Sequence, residues 1–195
     1  MDFGLAMATS APDQLTPRAR EIVNAARELL EEEGIEALSM RRIGQRLGIR
    51  APSIYKHLPD KDALEAAIIS TGFEEQAALF EAALEHSDDP LGALARAYRD
   101  FGREHPHLYR LMTDRTLNRE LLAPGSEERA AVPLYKATGE NMDLARAAWA
   151  FGHGMTILEL NNRFPPGADL DAAWEHGIAA FRPETTKTKP GEQPR

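Results

Sequence analysis

The chain has 195 residues, 43% of them hydrophobic, and a formal net charge of −8. That is enough for a sizeable core and a large domain, or a small one joined to a larger. No run of about 18 apolar residues is present, so no membrane span is expected. The absence of cysteine excludes disulfides and thiolate metal sites and fits a reducing cytoplasm, the expected compartment.

Residues 1–15 show no sustained periodicity and no basic and apolar leader pattern, and read as a flexible arm. Thr16 and Pro17 form a helix start, a hydroxyl cap followed by a residue whose missing N–H costs nothing there. Ile22, Val23, Ala26, Leu29 and Leu30 then recur at helical spacing, and Gly34 is placed to end the helix in a left-handed cap. Ser39 caps a second helix with Met40, Ile43 and Leu47 on its apolar face, and Gly48 stops it. A third, short helix is expected from Ala51 to His57, with Ile54 and Leu58 inward. Asp60 caps a fourth helix that carries Leu64, Ile68, Phe73, Leu79, Phe80 and Leu84, and Gly72 offers it a bend.

A fifth helix follows Asp89-Pro90, with Leu91, Leu94, Ala97, Tyr98 and Phe101 on one side, and ends at His105-Pro106. The short helix HLYRLM comes next. Residues 118–139 mix apolar residues with Pro124, Gly125, Pro133 and Gly139 and read as a loop with one helix inside. A long helix is expected from Asp143 to Asn162, and a last one from the cap Asp169 to Phe181. Residues 182–195 are polar and Pro-rich and read as a disordered tail. No segment alternates as a strand does. The fold class is all-α: an N-terminal three-helix, helix–turn–helix DNA-binding domain over residues 16–62, then a larger helical domain over 63–181.

Charge is distributed unevenly. Between Ser39 and Lys61 stand six cations (Arg41, Arg42, Arg46, Arg50, Lys56, Lys61) and one anion, Asp60, on a chain otherwise strongly acidic. Two short helices about three residues apart, with Gly48 between them and apolar inner faces, form a helix–turn–helix. The second helix is the element that enters a major groove. Its outward residues are Arg50, Ala51, Ser53, Tyr55, Lys56 and His57. Arg41 and Arg42 are placed for one strand's phosphates, and Lys61 for another.

Residues 18–68 resemble the DNA-binding domain of the tetracycline-repressor-like (TetR) family. The matching residues are Ala25-Ala26, Leu30, Gly34, Ser39, Ile43, Gly48-Ile49, Ser53-Ile54-Tyr55, His57-Leu58, Lys61 and Leu64. The resemblance implies that Tyr55 reaches a phosphate, that the surface from Arg50 to His57 reads the groove, and that Lys61 clamps the backbone. Arg50 stands where the family usually has a capping Ser, so Pro52 is left to rigidify the start of that helix.

The resemblance also implies that the larger domain binds an effector and dimerises. HPHLYRLM (105–112) and WAFGHGMTILEL (149–160) are similar to a C-terminal class marked by a Trp and then a His-Gly pair. An apolar effector pocket is expected among Tyr98, Phe101, Tyr109, Met112, Trp149 and His153. Within the long helix, Trp149, His153, Thr156 and Leu160 share one face and Phe151, Met155, Leu158 and Asn162 another. Which face meets the core or pocket and which a second subunit is left open. Ala147, Ala148, Gly152 and Gly154 would admit a close helix. The expected dimer contacts are Phe151, Met155 and Leu158 with Trp174 and Ile178 of the last helix.

These readings point to a homodimeric transcriptional regulator that binds a palindromic duplex operator and is released from it by a small organic molecule. No enzyme is expected. The chain lacks a Gly-rich phosphate loop and a supported Ser-His-Asp arrangement. His105 and His107, two apart, point in different directions on a helix. No cofactor and no metal are expected. A helical enzyme or carrier, and an architectural DNA-binding protein without a ligand, are the rival classes.

Overall fold

A computed structural model describes residues 15–85 and 87–183. The expected arm, all but its last residue Leu15, and most of the expected tail lie outside them. Every regular element among the described residues is helical: α1 (Pro17–Glu33), α2 (Met40–Leu47), α3 (Ala51–Ile54), α4 (Lys61–Leu84), α5 (Pro90–Glu104), α6 (Pro106–Thr113), α7 (Ser126–Ala137), α8 (Met142–Leu160) and α9 (Leu170–Ala179). No helix among these residues is long and apolar enough to cross a membrane.

The helix starts follow from local chemistry. Thr16, Ser39, Asp60, Asp89 and Asp169 each accept a backbone N–H of their own first turn. A side-chain oxygen there satisfies one of the donors that no carbonyl can reach. Asn141 does the same for α8. Gly48 closes α2 in the left-handed region, φ 64° and ψ 28°, as expected. Gly34 differs: its φ is 81° but its ψ is 178°, because the chain leaves α1 extended and enters a 3-10 turn at Ile35–Ala37.

Two further expectations are corrected and one is made specific. The third helix is α-helical over four residues only; it relaxes into a turn in which the N–H of both His57 and Leu58 reach the Ile54 carbonyl, at 2.9 and 3.0 Å. The one helix expected inside residues 118–139 is α7, residues 126–137, and Pro133 lies inside it, buried. Packing against α4 offsets a penalty of about 3 kcal/mol that proline carries in an isolated helix. The start of the expected tail is docked. Arg182 pairs with Asp89 at 2.9 Å, and Pro183 lies over Gly139.

One apolar core joins the two expected domains. Ile22, Leu30, Ile43, Ile54, Leu64, Ile68, Leu108 and Tyr109 are all fully buried in it, and they come from α1, α2, α3, α4 and α6. The expected boundary at residues 62 and 63 falls in the first turn of α4, which runs unbroken to Leu84. Gly72, read as a place for a bend, is where Met112 of α6 approaches: an added Cβ would lie 2.7 Å from its sulfur. A smaller cluster of Leu91, Trp174 and Ile178 closes the far end between α5, α8 and α9.

Among the glycines of the N-terminal head, α1 to α3, the tightest fit is at Gly44. Its missing Cβ would meet the Ile49 carbonyl oxygen at 2.8 Å, and the Ile49 N–H bonds the Gly44 carbonyl at 2.9 Å. That approach holds the turn between α2 and α3. Gly44→Ala is expected to destabilise the protein in spite of alanine's helix propensity gain of about 1 kcal/mol, since overpacking against a backbone atom costs roughly 1–3 kcal/mol. Denaturant unfolding of the variant beside the wild type measures the balance.

Candidate nucleic-acid interface

The face expected to read DNA is built on the short α3 and the turn after it. Ile54 and Leu58 are buried and pin this segment to the core. The remaining side chains then point away. Arg50, Pro52, Ser53, Tyr55, Lys56 and His57 are all exposed, Tyr55 by 49% although it is a large aromatic. Ala51 differs from the other expected readers: it is half-buried and packs on the core. Arg50 makes no side-chain cap, and Pro52 occupies the first turn, as its sequence implied.

The six cations of this region have different partners. Arg46 is clamped to α1: its guanidinium meets Glu32 through two bonds of 2.6 and 2.7 Å and Glu28 through one of 3.2 Å. The bond from Arg46 holds the Glu32 carboxyl below the usual carboxylate range. Arg42 is paired with Glu33. Lys61 lies 3.3 Å from Glu65, one turn on in α4. No ion pair forms at Arg41, Arg50 or Lys56 among the described residues. The acidic end of α1 therefore neutralises the inward side of the island, and its outward side keeps free positive charge for an anionic partner.

The expected effector residues form a connected line in the larger domain. The Tyr98 and Tyr109 hydroxyls are 2.8 Å apart, and the Tyr109 hydroxyl is 2.8 Å from Nδ1 of His153. Trp149 stacks on His153 with ring centroids 6.0 Å apart and is itself 52% exposed. Phe101, Tyr109 and Met112 are core residues. A cleft of about 530 Å³ lies instead between α5 and the segment joining α8 to α9, walled by Leu160, Phe164, Pro165 and Leu170 with Arg99 and Arg103. A second, of about 230 Å³, lies beside the start of α4, lined by Glu65, Ile69, Leu111 and Arg115. None of the six expected residues lines either.

Of the five expected dimer residues, Trp174 and Ile178 are only 5% and 6% exposed within a single chain, so their apolar area is already used. Phe151 packs edge-on against Trp174 and lies against Gly177, and Met155 joins the same cluster. Gly152 faces Tyr98 and Trp174 and, like Ala148, is buried. Leu158 stays 40% exposed. It continues an outward strip of α8 with Ala147, Ala150 and Gly154, and nothing lies within 4 Å of a Cβ built on Gly154. Two faces of α8 are thus covered inside the chain and a third is open.

Sequence reasoning missed Gly44, the clamp on Arg46, and Gly102, whose added Cβ would strike Thr156 of α8 at 2.5 Å. A glycine inside an otherwise good helix, one turn before a helix stop, was the available signal for Gly44.

Comparison with known proteins adds independent findings. Residues 22–68 match the family described as bacterial regulatory proteins, tetR family, and residues 91–181 match the tetracyclin repressor-like, C-terminal domain. An uncharacterised HTH-type transcriptional regulator of Bacillus subtilis, YobS, is 31% identical over 93 residues, 45% of this chain and 47% of its own. The Escherichia coli tetracycline repressor protein class D is 33% identical over 89 residues, 46% of this chain and 36% of its own. The matched stretch therefore spans less than half the length of these relatives. A solved TetR-family member from Streptomyces coelicolor A3 shares the fold at a TM-score of 0.65 and 23% identity, covering 86% of this chain and 99% of its own.

Burial pushes the Tyr98 hydroxyl up to about 12, and burial together with Tyr98 raises Tyr109 further. In the unfolded chain both ionise near pH 10. Between these values the unfolded state holds fewer protons than the folded one, so stability is complete below about pH 10 and falls as pH rises towards 12. Ultraviolet titration is expected to find Tyr98 and Tyr109 un-ionised at pH 11 in folded protein, with Tyr98→Phe and Tyr109→Phe each reducing the late-titrating signal.

Proposed function

Because the chain belongs to the tetR family of bacterial regulatory proteins, with the two matched segments together covering more than half of it, we propose that it is a sequence-specific, homodimeric transcriptional regulator. On this reading it is a cytoplasmic, non-enzymatic repressor whose hold on DNA is relieved by a small apolar ligand. The observation that carries the reading is the exposed face of α3. A protein of net charge −8 presents free Arg41, Arg50 and Lys56 beside an exposed Tyr55 on a helix–turn–helix.

Each residue then has a chemical role. Arg50 and Lys56 are long enough to donate to guanine O6 and N7 in a major groove. Ser53, Tyr55 and His57 are placed on the same segment for phosphate and groove-edge contacts, and Ala51 contributes by letting the backbone approach. Arg41 needs no rearrangement to meet a phosphate, whereas Arg42 must exchange Glu33 for it. Lys61 sits where Asp60 starts α4; once it leaves Glu65, its ammonium and the first N–H groups of that helix face one strand together. Such contacts supply most of the affinity, and base edges supply the choice of sequence.

The second subunit meets the open strip of α8. Ala147, Ala150, Gly154 and Leu158 allow another helix to approach closely, and a two-fold interface pairs the strip with its own copy. Leu158 is the most exposed of the five expected dimer residues. The effector enters by the half-exposed Trp149, and the line from His153 through Tyr109 to Tyr98 gives it polar groups on apolar walls. A ligand that prefers the DNA-incompetent spacing of the two heads lowers operator affinity by its differential affinity for that state.

A binding selection from random duplexes is expected to return a palindrome with half-sites about one helical turn or somewhat more apart. Arg50→Ala and Lys56→Ala should each relax one symmetric pair of positions, at about 1–3 kcal/mol of lost discrimination. Lys61→Ala should weaken all duplexes alike and lower the salt slope by about one. No palindrome, or an unchanged motif in both reading variants, overturns the reading.

The assembly has its own test. Leu158→Glu and Gly154→Trp are expected to convert a micromolar dimer to monomer in sedimentation while leaving the helical spectrum intact. A wild type that sediments as a monomer removes the interface.

A further inference from the structure

Helix α6 begins without a local cap. Its first residue, Pro106, has no N–H, and the preceding His105 makes no side-chain capping bond. The N–H of Leu108, on the first turn, is instead satisfied by Oε1 of Glu31 at 3.1 Å. Glu31 belongs to α1, so a helix of the ligand domain is capped from the DNA-binding head, 77 residues away in sequence. A carboxylate at a helix N-terminus also complements the dipole.

The same carboxylate is part of a closed ring. Nδ1 of His105 lies 3.8 Å from Glu31 Oε1, and its Nε2 lies 3.4 Å from Glu75 Oε1 on α4. Glu75 also binds Arg27. Arg27 and Glu31 are one turn apart on α1, so the head meets the ligand domain at two charged side chains of one face. His107 lies against Gly34 where α1 ends, with its ring 3.4 Å from the position of an added Cβ. His105 and His107, which point in different directions, both abut the head. The sequence singled out this pair only to set it aside as a metal site.

We infer that Glu31 is the positioning residue that sets the angle of the DNA-reading head on the ligand domain, by capping α6 across the junction. The apolar core beneath is close-packed, but its contacts carry little direction, so it fixes the angle between α1 and α6 less sharply than a directional bond does. A hydrogen bond from a fixed backbone N–H to a carboxylate does carry direction, and charge assistance strengthens it. A displacement of α6 therefore moves α1, and with it α2 and α3. Glu31 lies outside the exposed α3 face, so its effect on DNA is through the head's placement. That last step rests on the DNA-binding reading; the placement itself does not.

The test uses the full chain, which has no cysteine of its own. Spin labels at Asn24→Cys on α1 and Asp100→Cys on α5, both exposed, report the head-to-domain distance, with labelled protein diluted into unlabelled so that only pairs within one chain count. Glu31→Ala is expected to broaden that distance distribution and to speed exchange of the Leu108 amide about tenfold, the loss expected for a helix cap. It should also lower affinity for the duplex that the wild type selects by several-fold. Glu31→Gln, whose amide oxygen still accepts, should restore all three. If Glu31→Ala does not fold, Glu31→Asp withdraws the carboxylate by one methylene and should give the same three changes. An unchanged distance distribution overturns the proposal and leaves Glu31 a local cap. Glu31→Gln as loose as Glu31→Ala overturns it also, because the acceptor then counts for nothing. A wild type that selects no duplex overturns the DNA-binding reading alone, since the first two measurements contain no DNA.

Discussion

Leu64 and Ile68, both fully buried on α4, are where the head ceases to be separable from the rest of the chain. The three helices α1 to α3 enclose little apolar area by themselves, and domains of that size are marginal. The head therefore completes its core with these two residues and, through them, with Leu108 and Tyr109 of α6. Every other relation between the two parts follows from this shortage. An element that needs a neighbour in order to fold also responds to that neighbour's position. The long α4 is common to both cores, so a displacement of one is felt by the other.

Electrostatics sharpen what the core leaves loose. The end of α1 carries Glu28, Glu31, Glu32 and Glu33, and three of them bind the basic island from within. Glu31 faces the other way, towards α6. The end of α1 thus fastens α2 on one side and the larger domain on the other. What remains unpaired on the outer face is cationic, and it sits on a chain whose total charge repels nucleic acid elsewhere. Such a distribution favours an approach in one orientation.

The long α8 shows how a helix apolar on several sides distributes its faces. Phe151 and Met155 join Trp174 and Ile178 of α9, while Gly152 and Thr156 let α5 come close. The strip of small residues ending in Leu158 and the exposed Trp149 are left. A surface of Ala and Gly offers little apolar area but permits short interaxial distances, so its value to a partner lies in close packing of backbone on backbone.

The helix starts were legible because a cap is a local event: Thr16, Ser39, Asp60 and Asp169 each accept from the N–H three residues on. The all-α class, the Gly48 turn, and the outward set from Arg50 to His57, Ala51 apart, were legible for the same reason, as periodicity and turn geometry are properties of short stretches. The allocation of partners was not. That Arg46 is bound and Arg50 free depends on how α1 lies across α2. That Trp174 is interior and Leu158 exterior depends on which side of α8 receives α9. Pro133 sits inside a helix because α4 is there to pay for it, and no local rule contains α4. Local chemistry sets where helices begin and end, because its partners are near in sequence. The rotation and separation of helices are set by the packing of all of them together, and those two quantities alone decide which charges are cancelled and which surfaces stay open.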